Sequence, residues 1–95
     1  MKRYTVTPSK QYRKDFKRLI KTGVDVRKLE NVIDRLAQGE LLPDRFRDHA
    51  LKGTFHGMRE CHIGPDWLLI YKKDDDRLIL VLVSTGSHRD VLNIE

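Results

Sequence analysis

Three histidines stand in settings that could move protons. His49 lies in Asp48-His49-Ala50-Leu51-Lys52-Gly53, His62 in Arg59-Glu60-Cys61-His62-Ile63-Gly64-Pro65-Asp66-Trp67, and His88 in Thr85-Gly86-Ser87-His88. Imidazole both gives and takes a proton near neutral pH. Several such rings beside basic residues in a small basic protein point to acid–base chemistry on a polyanion. Metal-free RNA cleavage fits this set. There the substrate's own 2′-hydroxyl attacks phosphorus, so the protein supplies a base, an acid for the leaving 5′-oxygen, and cations for the extra phosphoryl charge. Two histidines can form the acid–base pair. Lys52 and Arg59 can supply charge, Trp67 can stack on a base, and Asp66 can orient an imidazole.

Other chemistries fit less well. The spacing of positions 49, 62 and 88 matches no zinc motif, and the chain has one cysteine, so neither a metal nor a cofactor is expected. No glycine-rich phosphate loop is present. Ser84 or Ser87 could in form serve a Ser–His–Asp hydrolase, but no nucleophile elbow frames either. Cys61 lies among bulky residues inside a strand pattern and reads as a buried structural thiol. The fourth histidine, His56, reads as polar surface.

The elements that must position these residues follow from periodicity. Arg3–Val6 alternates and reads as a short first strand. Thr7-Pro8-Ser9 reads as a helix start, a capping hydroxyl followed by a proline. Tyr12, Phe16, Leu19 and Ile20 then recur at helical spacing, with Gly23 ending the helix. Asp25 caps a second helix with Val26, Leu29, Ile33 and Leu36 on one face, closed by Gly39. The short link predicts an antiparallel helical hairpin. Residues 40–53 read as loop with at most a short turn. Three strands follow at Phe55–Ile63, Trp67–Lys72 and Arg77–Val83. In the first, Arg59, Cys61 and Ile63 point one way and Met58, Glu60 and His62 the other. Trp67–Lys72 should be central, and Arg77–Val83, nearly all aliphatic, should be buried on both faces. Gly64-Pro65-Asp66 and Asp74-Asp75-Asp76 make the turns, Thr85-Gly86-Ser87 breaks the last strand, and Arg89–Ile94 forms a final turn. The order β-α-α-β-β-β predicts an α+β fold, with the helices packed on a mainly antiparallel sheet.

At 95 residues, a single domain spanning 1–95 is expected. Hydrophobic content of 39% and charged content of 35% exclude a disordered chain and a membrane protein. No signal peptide is evident, and a lone cysteine fits a reducing cytoplasm. Net charge is +5 with a pI near 9.6. The excess is N-terminal. Residues 1–28 hold ten Lys/Arg against Asp15 and Asp25, a net +8, whereas residues 29–95 hold nine against twelve Asp/Glu, a net −3. Such a basic segment attracts a phosphate backbone or an acidic protein.

Taken together, DHxLxG around His49, RxxHxxPDW around His62 and TGSH at the C-terminal end resemble the YafQ toxins of the RelE/ParE superfamily, and the likeness covers essentially the whole chain. The resemblance implies a RelE/ParE-like fold. It also implies a ribosome-dependent, metal-independent mRNA endoribonuclease, the toxin of a type II toxin–antitoxin system. Implied partners are an acidic DinJ/RelB-like antitoxin, the ribosome and its mRNA, and promoter DNA reached through the antitoxin complex. Implied catalytic positions are His49, His62, Asp66 and His88, with His88 donating a proton to the leaving oxygen and Trp67 touching RNA. Two departures stand out. Active members often carry arginine where this chain has Ser84, and phenylalanine where it has Leu92. These leave open a cleavage-deficient module that binds antitoxin; the shared scaffold leaves open a ParE-like gyrase inhibitor, against which the histidine set argues.

Overall fold

The computed structural model describes residues 3–92. Its elements are β1 (Thr5–Pro8), α1 (Lys10–Ile20), α2 (Arg27–Ala37), β2 (His49–Ala50), β3 (Arg59–Gly64), β4 (Trp67–Asp74), β5 (Ile79–Gly86) and α3 (His88–Leu92). Single 3-10 turns lie at Asp44–Phe46 and Gly53–Phe55. The strands form one sheet in the order β1-β5-β4-β3-β2. β1 runs parallel to β5, and every other pair is antiparallel. The architecture is α+β, with α1 and α2 packed on one sheet face.

Several boundaries differ from the sequence expectation for identifiable reasons. The first strand is shifted to Thr5–Pro8, so Pro8 closes the strand rather than opening a helix. An edge strand tolerates proline because its missing N–H costs no ladder bond. Ser9 is the cap: its hydroxyl oxygen accepts from Tyr12 N at 3.0 Å and its O–H donates to Val83 O at 2.7 Å. One residue thus starts α1 and ties it to β5. Within α1, Tyr12 is buried, Phe16 and Leu19 pack on the core, and Ile20 is exposed. In α2 the cap position falls on Val26, while Asp25 accepts from Arg27 N. Leu29, Val32, Leu36 and Ala37 are its buried face. The loop after α2 contains the two-residue strand β2, and β3 begins at Arg59 because residues 53–55 turn instead of extending.

β4 is central, and Trp67–Tyr71 are buried in succession. Its alternate residues feed two cores. Trp67, Leu69 and Tyr71 join Cys61, Ile63, Leu80 and Leu82 under the helices. Leu68 and Ile70 pack with Val91 on the other face, flanked by Leu51, Phe55, Met58 and Val83. The second layer is thinner, so β5 is not buried on both faces as expected: Leu80 and Leu82 are buried, while Ile79, Val81 and Val83 are only half-buried. Nor does β5 break at Thr85. A register shift against β4, from Ile70–Ser84 to Tyr71–Leu82, absorbs one residue at Val83 and carries the strand on to Gly86. Thr85 is then aimed at the helices, where its N–H donates to Asp15 Oδ2 at 3.1 Å. The final helix starts at His88; the expected tail positions Asn93 and Ile94 lie outside the described residues.

Candidate active site

Strand register brings the histidines together. β2 pairs with β3 so that His49 stands opposite Glu60. Two residues on, His62 shares that sheet face with Glu60. The β3–β4 turn carries Asp66, held at φ +51, a left-handed conformation that aspartate tolerates better than most residues. Leu68 pairs with Gly86, so β5 ends beside that turn and delivers His88 to it.

Asp66 grips His88 twice. Its Oδ1 accepts from the His88 backbone N at 3.0 Å and lies 2.8 Å from the ring Nδ1. A carboxylate only accepts, so the hydrogen sits on Nδ1 and Nε2 is left for chemistry. The backbone bond, then the ring bond, hold the Asp66 carboxyl below the ordinary aspartate range. His49 is fixed differently. Its Nδ1 lies 2.7 Å from the carbonyl oxygen of Arg47, again an acceptor, so Nδ1 carries the hydrogen and the neutral ring has its lone pair on Nε2. Arg47 itself is left-handed at φ +49. That strained turn aims its carbonyl at the ring.

The ring centroids of His49 and His62 lie 6.5 Å apart, and those of His62 and His88 5.6 Å apart. Beneath them is Glu60, whose side chain is only 5% exposed. Its Oε1 is 3.4 Å from His62 Nε2 and 3.8 Å from His49 Nε2. A buried carboxylate survives only among partners of this kind. Reading the sequence passes over Glu60, although strand parity already places it on the face of His62. Glu60, His62 and His88 also offer donor atoms within 4.8 Å of one another, a set that could take a metal ion and that their sequence spacing conceals.

The remaining expected residues are placed elsewhere. Arg59 belongs to the helix-facing side of β3. Its Nε donates to Asp48 Oδ1 at 3.0 Å, and Tyr71 donates its hydroxyl hydrogen to the same carboxylate, 2.7 Å away. It locks the β2 approach to the sheet and does not reach the histidines. Trp67 is 9% exposed, and its Nε1 donates to Thr85 Oγ1 at 3.1 Å. The ring is a core strut behind the Asp66 turn, not an open stacking platform. Lys52 is exposed, just ahead of the turn at 53–55. A groove of about 490 Å³ runs past His62, Asp66 and His88, with Arg45 and Arg47 along it.

Residues 4–93 match the family described as the bacterial toxin of a type II toxin–antitoxin system, YafQ. The chain belongs to the YafQ family. It is 41% identical over 81 residues to the mRNA interferase toxin YafQ of Escherichia coli, covering 84% of this chain and 86% of that protein. Its fold matches a metal-bound toxin from Helicobacter pylori with a TM-score of 0.87 at 40% identity, over 93% of this chain and 98% of the other. It matches the toxin chain in the Escherichia coli DinJ–YafQ complex at 0.82 and 37% identity, over 90% and 93% of the two chains. The YafQ-family fold is thus the scaffold that collects His49, His62, His88, Glu60 and Asp66 at one end of the sheet.

Proposed function

We propose that this chain is the toxin of a type II toxin–antitoxin pair and an endoribonuclease that cuts translated mRNA on the ribosome. The observation that carries this reading is the convergence of three imidazoles, each facing an oxygen acceptor: His62 and His88 line one open groove, and His49 stands beside His62 with its ring centroid 6.5 Å away. In the reaction, His49 Nε2 takes the proton from a ribose 2′-hydroxyl. The 2′-oxygen bonds to the adjacent phosphorus, and the P–O5′ bond breaks. His88 enters the step as the imidazolium, with Nδ1–H on Asp66, and gives its Nε2 proton to the leaving 5′-oxygen, leaving a 2′,3′-cyclic phosphate and a 5′-hydroxyl. Asp66 keeps Nδ1–H of His88 engaged, so Nε2 is the nitrogen that exchanges protons. Glu60 faces the imidazolium that His49 becomes. His62, between the other two rings, donates to a non-bridging oxygen when protonated.

No step needs a metal. An ion held by Glu60, His62 and His88 would occupy two of these rings and compete with proton transfer. The DinJ–YafQ complex of the Escherichia coli relative supports an antitoxin partner for this chain; on the proposed reading that antitoxin is acidic and carries the pair to promoter DNA. No helix among the described residues is long and apolar enough to cross a membrane, and action on ribosomes places the protein in the cytoplasm.

The test is mRNA 5′-end mapping in cells expressing this chain or His88→Gln without antitoxin. Cuts within translated codons that vanish in the variant are expected. Intact message with normal growth would instead indicate a cleavage-deficient antitoxin-binding module, the outcome that Ser84 and Leu92 favour. Intact message with arrested growth would indicate another target, such as gyrase.

A further inference from the structure

Attack at phosphorus adds negative charge to the non-bridging oxygens, and a fixed cation close by lowers that barrier. Of the two residues expected to supply it, Lys52 does not line the groove and Arg59 is engaged elsewhere, while position 84, where active members often carry arginine, holds serine. Arg59 is paired to Asp48 on the opposite sheet face. Ser84 lies on the cross-strand row Glu60–Ile70–Ser84, two strand spacings or about 10 Å from Glu60. It is buried and too short to span that gap.

The groove has cations on its other side. Arg45 and Arg47 both line it together with His62, Asp66 and His88. Both are exposed, and neither has a carboxylate partner among the described residues. The Arg45 guanidinium lies over the Phe46 ring, 4.8 Å from its centroid. Phe46 in turn packs on the main core. A guanidinium stacked by its face keeps its in-plane N–H donors free at the edge, the geometry that matches phosphate oxygens. Arg47 closes the 3-10 turn through its N–H to Asp44 O at 2.9 Å, and its carbonyl oxygen is the one that holds His49. The turn that orients the base therefore also carries both arginines.

We infer that Arg45 and Arg47 form the phosphate-binding wall of the groove. They grip the RNA backbone phosphate placed against His62 and His88, in place of a cation at position 84. This rests on the nuclease reading for its consequence in cleavage, though not for its consequence in binding. Substitution to glutamine leaves the backbone demand at Arg47 unchanged, since both residues have a Cβ, and both sites are on the surface.

The experiment compares the wild-type chain with Arg45→Gln/Arg47→Gln, with Arg45→Lys/Arg47→Lys, and with Lys72→Gln/Arg77→Gln. The last removes two charges toward the opposite end of β4. Two readouts are taken. One is the single-turnover cleavage rate on ribosome-bound mRNA at saturating protein. The other is fluorescence anisotropy with a 2′-O-methyl RNA 12-mer, which cannot be cleaved, over a salt series. The glutamine pair is expected to cleave about 10²-fold more slowly or worse. The slope of its log binding constant against log salt is expected to flatten by about 0.7 for each phosphate that is no longer neutralised. The distant pair should stay within about twofold in rate, and the lysine pair, which keeps both charges, should recover most of the salt slope. A glutamine pair whose salt slope equals that of the distant pair overturns the inference, as does a lysine pair whose salt slope is as flat as that of the glutamine pair. Where the wild-type chain cleaves, a glutamine pair that cleaves within about threefold of it also overturns the inference. Where the wild-type chain cuts no better than His88→Gln, the nuclease reading fails, and the anisotropy series still decides whether these arginines hold phosphate.

Discussion

At the residue scale, the proposed chemistry rests on which ring nitrogen carries a hydrogen. Asp66 sets this for His88, because one carboxylate oxygen accepts from both its backbone N–H and its Nδ1–H. Asp66→Asn keeps an acceptor oxygen, yet its amide can also present N–H to the ring and allow the other tautomer. Cleavage is expected to fall about 10²-fold or more in a single-turnover assay, with the melting temperature nearly unchanged because the side chain is exposed. The clamp also has a pH limit. The Asp66 carboxyl is held below its ordinary value of 3.8. Whatever stability the clamp lends is therefore complete above that value and is lost as pH falls through the lowered one. The His88 amide proton, followed by NMR, should shift in that acidic window and not in Asp66→Asn. The histidines and Asp66 are legible in the sequence because their motifs stand out. Glu60 is not, because its importance comes from the β2–β3 pairing that brings His49 opposite it. Arg59 misleads for the converse reason: its charge suggests phosphate, while its parity already places it on the face away from His62.

At the element scale, the fragile part is the stretch that delivers His49. β2 has two residues and, among the described residues, pairs only with β3, so its position depends on side-chain locks behind it. The main lock is Asp48, which receives Arg59 Nε and the hydroxyl of the fully buried Tyr71. Burial, then the bond to this carboxylate, push the Tyr71 phenol far up, so it remains a donor throughout the working pH range. Tyr71→Phe removes the donor and keeps the ring. A bond to a charged acceptor in a part-buried site is worth about 1–3 kcal/mol, and a loss of that size is expected in urea denaturation. Amide exchange should speed up at Arg47–Ala50 before it does in β4. Outcomes in which stability falls but exchange at 47–50 does not change would place the lock elsewhere. The order of helices and strands is readable because hydrophobic periodicity dominates in α1, α2 and β4. Three things are not readable. Pro8 reads as helix because its strand role depends on lying at a sheet edge. β2 is too short to have a period. The extension of β5 to Gly86 depends on a one-residue irregularity at Val83, which no alternation pattern reveals.

For the whole molecule, the question is how charge and chemistry divide the surface. The basic excess of the N-terminal segment is displayed on α1, where Lys10, Arg13, Lys14 and Lys17 are exposed, and on Lys21 at its C-cap. That helix lies on the opposite sheet face from the row that carries Glu60 and His62. The basic face therefore does not line the groove of His62 and His88, and on the proposed reading its contribution is docking on a polyanion. This separation makes a kinetic prediction. Charge reversal by Lys14→Glu/Lys17→Glu should weaken co-sedimentation with ribosomes, most at low salt, and raise KM about tenfold or more. The cleavage rate at saturation should stay within about threefold, because no group near the reacting phosphate has changed. His88→Gln should do the reverse, abolishing the rate while leaving ribosome binding intact. If the α1 reversal lowered the saturated rate as severely as His88→Gln does, docking and chemistry would be coupled. The ribosome would then have to assemble the groove through α1, by way of the bond from Thr85 of β5 to Asp15 of α1, three residues before His88.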